Sequence, residues 1–264
     1  MPELLVVSDS HLSSHSPEAQ ANWDVVVDAV ADAAPDLVVH AGDLTQRGLG
    51  DHDLLRFGRK QLDRLPVPWL AIPGNHDVGD FGDGAGEAII NHERREAYDE
   101  IIGPRFWVQR IGRWRLIGFD SQDLLMDPAR GRAIHDRLRD ELAGPEPTVL
   151  FQHRPLHVGD DARGRHPRNY VLDPWAEPLE ALVALPQVRG HVSGHVHQWR
   201  SHVGGDALHV WAPSTWCIVT DRWQPVIGTK TVGAVRLLLD DAGGVTADLV
   251  VPEGMVAHVL GETV

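Results

Sequence analysis

Residues able to hold a metal ion or carry a proton fall directly after short apolar runs along this chain. Asp9 and His11 follow Leu4–Val7, and Asp43 follows Leu37–Val39. Asn75, His76 and Asp77 follow Trp69–Ile72, His153 follows Val149–Phe151, and His195 and His197 follow Val188–Val192. Each run has the length of a buried strand. In open α/β sheets ligands gather at the carboxyl ends of strands, so positions far apart in sequence can converge there. In an extended segment residues i and i+2 point to the same side, so Asp9 with His11, and His195 with His197, are expected to present paired ligand atoms to one cavity. Gly42, Gly74 and Gly194 precede Asp43, Asn75 and His195, where a residue without a Cβ lets the chain turn sharply. A mixed oxygen and nitrogen donor set suits Mn, Fe or Zn rather than Ca or a thiolate-preferring metal.

The elements that must position these residues alternate in type. Trp23, Val26, Val27, Val30 and Ala34 share a helical face, with Ser16 as N-cap, Pro17 in the first turn and Pro35 as the stop. A second helix is expected at about 52–65, with Leu54, Leu55, Leu62 and Leu65 inward, and further helices at about 86–102, 131–143 and 174–185. Strand-like runs recur at 116–119 and 208–211. A β-hairpin is expected at about 232–251, turning at Asp241–Gly244, as an edge of the second sheet or a contact between subunits. This order predicts an α/β chain with mixed sheets in layers covered by helices, organised as a single domain over 1–264. The stretches 78–88 and 157–173, rich in glycine and charge, read as loops.

Composition narrows the classes. The 264 residues are 42% hydrophobic and 23% charged, which excludes disordered and fibrous architectures. A formal net charge of −14 disfavours long nucleic acid and anionic membrane as partners. One cysteine, Cys217, rules out an internal disulfide framework. No apolar run reaches the ~18–20 residues of a membrane span, and the opening MPELLVVSDSHL reads as a strand, not a signal peptide. A cytoplasmic location is expected.

The blocks Asp9-Ser10-His11, Gly42-Asp43, Gly74-Asn75-His76-Asp77, His153 and Gly194-His195-Val196-His197 together resemble the signature of the calcineurin-like metallophosphoesterases. All five stand in the family's order. The resemblance implies two mixed β-sheets in a sandwich flanked by helices, and a two-metal site. Asp9, His11 and His197 would hold one metal, Asn75, His153 and His195 the other, and Asp43 would bridge them. The length and the Gly-Asn-His-Asp form look most similar to small bacterial phosphodiesterases of the class III cyclic nucleotide and glycerophosphodiesterase types. His153-Arg154-Pro155-Leu156 departs from that subgroup, which often has a second histidine and a proline pair there.

Two divalent cations ~3.5–4 Å apart can acidify a shared water and clamp a phosphate. Set against Asp9, Asp43 and a hydroxide, two dications leave a single positive charge, which matches a phosphodiester monoanion. His76, adjacent to a ligand without being assigned as one, is the expected general acid. Asp77 either orients His76 or caps the local turn. The expected activity is therefore hydrolysis of a small-molecule phosphodiester by a bridging hydroxide. A phosphomonoesterase with the same metals and a non-catalytic metal-binding scaffold are the alternatives, and a homodimer is the expected assembly.

Other residues have plainer readings. Arg154 is either a phosphate contact or an ion-pair partner. Arg163, Arg165, His166, Arg168 and Tyr170 form either a steering loop for anions or a solvated one. Trp199 and Trp216 are placed as pocket walls. His40 is expected to make a hydrogen bond in the core or behind a metal ligand rather than a metal contact, and His191 to be a strand residue or a support for a ligand. His15, His52, His92, His135, His202 and His258 are expected on the surface.

Overall fold

The computed structural model describes residues 1–47, 51–81, 89–156 and 174–261. In chain order the strands are β1 (Glu3–Val7), β2 (Leu37–His40), β3 (Trp69–Ala71), β4 (Phe106–Ile111), β5 (Trp114–Phe119), β6 (Thr148–Phe151) and β7 (Val188–Ser193). They continue with β8 (Gln198–Gly204), β9 (Ala207–Trp211), β10 (Cys217–Val219), β11 (Thr229–Lys230), β12 (Ala234–Leu239), β13 (Val245–Val250) and β14 (His258–Leu260). The helices are α1 (Pro17–Ala33), α2 (His52–Leu62), α3 (Asn75–Val78), α4 (His92–Ile101), α5 (Asp123–Met126), α6 (Pro128–Glu141) and α7 (Ala176–Val183).

Two mixed sheets face each other. One runs β13-β12-β1-β2-β3 and the other β11-β8-β9-β7-β6-β5-β4. β1, β2 and β3 are parallel, as are β5, β6, β7 and β9, so several carboxyl ends emerge on one edge of each sheet. Leu4, Val6, Val39, Val235 and Leu237 from the first sheet meet Leu116, Val149, Phe151, Val192 and Val210 from the second. The outer faces are covered separately. Trp23, Val26, Leu55, Leu62 and Tyr98 lie over Leu5, Val7 and Val38, while Leu138, Leu179 and Leu182 lie over Ile117, Phe119 and Leu150. Fully burying one such side chain contributes roughly 1.5–3 kcal/mol, so the alternation of apolar positions fixes both faces of each strand. Among the described residues, no helix is long and apolar enough to cross a membrane.

Helix ends follow their local chemistry. α1 has Pro17 in its first turn and stops at Ala33, where Ala34 adopts φ 46° and its N–H donates to Val30 O. In α2 the Asp51 carboxylate accepts from the N–H groups of Asp53 and Leu54. That helix ends at Leu62, not at 65, because 3₁₀-type bonds from Arg64 and Leu65 tighten the chain ahead of Pro66. Leu65 is buried all the same, whereas Leu54 is only half-buried. The expected hairpin forms, as β12 and β13, but β12 pairs with β1 and so extends the first sheet rather than the second.

His191 on β7, His209 on β9 and His202 on β8 lie opposite one another on three adjacent strands. His202 is thus not a simple surface residue: it is half-buried and stacks on His209 with ring centroids 5.1 Å apart. Burial and His202 hold His209 down at about 4, burial and His209 hold His191 well below its ordinary value, and burial and Arg200 lower His202. Each binds fewer protons folded than unfolded. Their contribution to stability is therefore present above about pH 6.5 and lost as pH falls toward 4. Urea midpoints measured across that window should fall more steeply for the wild type than for a His191→Leu/His209→Leu variant; parallel profiles would contradict this.

Candidate metal centre

Five of the polar residues that follow strands do not continue them. Asp9, His11, Asp43, His195 and His197 have φ of 52°, 45°, 52°, 71° and 52°, in the left-handed region. Asp9 with His11, and His195 with His197, do present paired side chains, but alternate left-handed residues achieve this, not an extended backbone. The glycines also act differently from the simple expectation. Only Gly42 has a positive φ, of 97°, among the three that precede these residues. A Cβ at Gly42 would strike the His153 ring, at Gly74 the Asp43 carboxylate, and at Gly194 the Ser8 hydroxyl. Close approach of chain segments is what excludes a side chain at Gly74 and Gly194.

The side chains converge in overlapping groups. Asp9, His11 and His197 bring one ligand atom each within 4.8 Å of the others, and so do Asp43, His153 and His195. His11, Asp43 and His76 form a third such group, which shares His11 with the first and Asp43 with the second. His11 Nε2 lies 3.2 Å from His197 Nε2, and His195 Nδ1 lies 3.3 Å from His153 Nε2. Asp43 Oδ2 is 3.3 Å from His153 Nε2 and 3.8 Å from His11 Nε2, while Asp9 Oδ1 is 3.2 Å from His197 Nε2.

Backbone carbonyls set the ring orientations. His153 Nδ1 donates to Ala41 O at 2.8 Å, His197 Nδ1 to Cys217 O at 3.1 Å, and His76 Nδ1 to Gln46 O at 2.7 Å. Each bond commits the Nδ1 proton and turns Nε2 inward, as second partners of metal-binding histidines do. The carboxylates are held too. Asp9 accepts from Ser8 Oγ at 2.5 Å and from the His195 amide at 2.9 Å, and Asp43 Oδ1 accepts from the His76 amide at 2.8 Å. Asp77 accepts from the amides of Leu44, Thr45 and Gly74 and from Thr45 Oγ1, at 2.8–3.1 Å. It is a clasp between the Asp43 and Asn75 loops, which settles its role as a cap rather than an orienter of His76. Asp77→Ala strands three buried N–H groups, each costing about 1–3 kcal/mol. A loss of at least about 3 kcal/mol should register in urea unfolding.

The charges are arranged to attract cations. Burial opposes ionisation of Asp9, yet His197 and His153 overcome it and hold its carboxyl well below the usual range. Asp43 is likewise held low against its burial by His153, His76 and His11. Burial would lower His153, but Asp43 and Asp9 push it up to about 9; Cys217 and Asp9 similarly raise His197 against its burial. Burial and His76 bring His11 down to about 3, so its ring stays neutral with a lone pair to offer. The two carboxylates demand countercharge, which protons on these rings or cations between them supply.

A model of the calcineurin-like phosphoesterases matches residues 3–199, from the start of β1 into β8. The chain belongs to the calcineurin-like phosphoesterase family. Solved structures with the same fold include a dimetal phosphatase from Danio rerio, 13% identical, covering 91% of this chain and 93% of that one with a TM-score of 0.60. Purple acid phosphatase PPD1 from yellow lupin (Lupinus luteus) seeds is 16% identical with a TM-score of 0.58. It covers 89% of this chain, which spans only 49% of the lupin protein. GAP50, the anchor in the inner membrane complex of Plasmodium, is 12% identical, covers 97% of this chain and 86% of its own, and has a TM-score of 0.63. No curated protein sequence matches the chain.

Members of this family typically bind two divalent metals, and the donors of this calcineurin-like phosphoesterase fit such a pair. Among the described residues Asn75 Oδ1 is buried with no hydrogen-bond partner, an orphaned acceptor of the kind a cation satisfies. The remaining donors are two carboxylates and neutral or displaceable imidazoles. Several expectations from sequence are resolved in the same place. Trp216 does wall the site, its ring 5.6 Å from that of His11. Trp199 instead packs against the core between the sheets. His40 makes its core bond, to Ser10 Oγ at 2.9 Å. Arg154 is 1% exposed, with Nη2 3.0 Å from Asp80 Oδ1 and its Nε donating to Gln122 Oε1. It is an ion-pair partner behind His153. Arg163, Arg165, His166, Arg168 and Tyr170, with most of the loop at 78–88, lie outside the described residues.

The residues that sequence reasoning missed are those that hold the ligands. Ser8 secures Asp9, while Ala41, Gln46 and Cys217 offer only backbone carbonyls. A carbonyl leaves no residue-type signal, because every residue has one.

Proposed function

We propose that this chain is a dinuclear-metal phosphoesterase whose preferred substrate is a small-molecule phosphodiester. The observation that carries the reading is Asp43, which belongs at once to the group containing His11 and to the group containing His153 and His195. Asp9, His11 and His197 would hold one ion, Asn75, His153 and His195 the other, and Asp43 both. When bound, such a pair acidifies water and neutralises phosphate charge. Ions of the Mn, Fe or Zn class suit these donors.

The protein's own groups do the rest. The left-handed loops fix the donors, Trp216 shields one side of His11, and the Gln46 carbonyl holds the Nδ1 proton of His76. His76 Nε2 then faces the centre, where it can pass a proton to the departing alkoxide. Preference for a diester follows from charge: two carboxylates and a hydroxide against two dications would leave one positive charge, which suits a monoanion, and Arg154, near the centre among the described residues, pairs with Asp80.

The test is a paired assay on metal-stripped protein, with and without added Mn²⁺, comparing a nitrophenyl phosphodiester with the matching monoester. Metal-dependent turnover favouring the diester is the expected result. A monoester preference would keep the centre and move the substrate class. No turnover with two ions bound would favour the scaffold role.

A further inference from the structure

The segment Ser214–Cys217, which leads from β9 into β10, reaches every member of one ligand group. Thr215 N–H donates to Ser8 O at 3.0 Å, Ser214 Oγ donates to Asp9 O at 2.6 Å, and Thr215 Oγ1 donates to Ser10 Oγ at 2.9 Å. The Trp216 ring stands 5.6 Å from that of His11, and Cys217 O accepts from His197 Nδ1 at 3.1 Å. Asp9, His11 and His197 are thus all addressed by one short stretch of chain. The other group is held from elsewhere: Ala41 O accepts from His153 Nδ1, and Asp43 Oδ1 accepts from the His76 amide.

The Ser214 hydroxyl is the hub of this stretch. It is buried, and besides donating to Asp9 O it accepts from the amides of Trp216 and Cys217 at 2.9 and 3.0 Å. A hydroxyl has one proton and two lone pairs, so its whole capacity is committed to backbone. The bond to Asp9 O matters because Asp9 and His11 are left-handed, a conformation that persists only where the surroundings over-determine it. The bonds to the two amides set the turn that aims the Cys217 carbonyl at His197. One side chain therefore fixes a carboxylate through its backbone and an imidazole through the carbonyl that holds its tautomer. The stretch is itself anchored. Ala212 N–H donates to Ser193 O, Gly233 N–H to Ser214 O, and the buried Asn22 Nδ2 to Thr215 O.

We propose that Ser214 is a positioning residue for one ion of the pair, the one that Asp9, His11 and His197 would hold, and that the other ion does not depend on it. This rests on the dinuclear reading above. Without the hydroxyl, the Asp9 backbone and the Cys217 turn loosen together, and both must be ordered again as the ion binds. The bonds that hold His153 and Asp43 stay in place, so the second position keeps its donors as they are.

The experiment is calorimetric titration of metal-stripped protein with Mn²⁺, with folding checked by circular dichroism. It compares wild type, Ser214→Ala and Thr215→Val, and repeats Ser214→Ala in the backgrounds His197→Gln and His153→Gln. Ser214→Ala should weaken one ion about 10–100-fold and leave the other within about twofold. In the His153→Gln background the loss should persist, and in the His197→Gln background it should shrink to less than about twofold. Equal losses in both backgrounds, the mark of a merely structural role, would overturn the proposal. So would an unchanged titration of Ser214→Ala. Where that variant does not fold, Thr215→Val decides alone, because it keeps its shape and removes only the bond to Ser10 Oγ. It should weaken the same ion at least about twofold, and unchanged affinities would overturn the proposal. Wild-type protein that binds no Mn²⁺ would sink the dinuclear reading and this proposal with it. Two ions bound with no dependence on Ser214 or Thr215 would sink the proposal alone.

Discussion

Asp43→Asn should reduce turnover of a nitrophenyl phosphodiester by at least about 10³-fold, or ~4 kcal/mol in the barrier. The substitution keeps the shape of the side chain and a carbonyl oxygen for the His76 amide, now 2.8 Å away. What it removes is the charge facing His153 and His11 at 3.3 and 3.8 Å. On the proposed reading two ion positions lose a donor in one step, so metal content should fall along with activity. The fold should persist, because a buried carboxylate that burial itself opposes is replaced by a neutral group. Elemental analysis alongside kcat decides the matter. An active, fully metallated Asp43→Asn protein would remove Asp43 from the shared position and the two-metal reading with it.

His76→Gln is expected to separate binding from proton transfer. Loss of a general acid costs about 10²–10⁴-fold when the leaving group is a poor one. Nitrophenolate departs without a proton, so its diester should lose little, while an alkyl diester should lose the full factor. Metal content should stay at the wild-type value, since the His76 ring is tied to Gln46 and is not needed to complete either ligand set. Equal losses for both leaving groups would take His76 out of the acid role. A drop in bound metal would assign it instead as a ligand, the other role open to its place beside His11 and Asp43.

The sites of chemistry were legible because they sit where apolar runs stop. Leu4–Val7 and Val188–Val192 announce strands, and the acids and histidines after them stand out against those runs. Strands lacking such a pattern were not legible. β8 alternates polar residues with few apolar ones, and β10, β11 and β14 have only two or three residues each. β4 is also unannounced, since Gln109 and Arg110 break its apolar run and its partner is the next strand, across a turn at Gly112. Pairing is a property of two segments, and a one-dimensional pattern carries only half of it. The same limit hid the histidine ladder: His202 looks like a lone surface residue until β9 places His209 against it.

The backbone of this molecule carries strain at the residues of its candidate metal centre. Among the described residues six non-glycine positions have positive φ, and all but Ala34 are candidate donors of the proposed metal centre. A left-handed backbone at such a residue disfavours the folded state by roughly 1–2 kcal/mol relative to glycine. A library ranked by melting temperature without metal would therefore enrich glycine at position 11, whose side chain makes no hydrogen bond to the backbone among the described residues, before positions 9, 43 and 197, which hold buried partners. It would deliver hardier proteins with a weaker grip on a cation. Robustness and reactivity compete at such residues, so engineering of this scaffold has to select on metal retention first and heat resistance second.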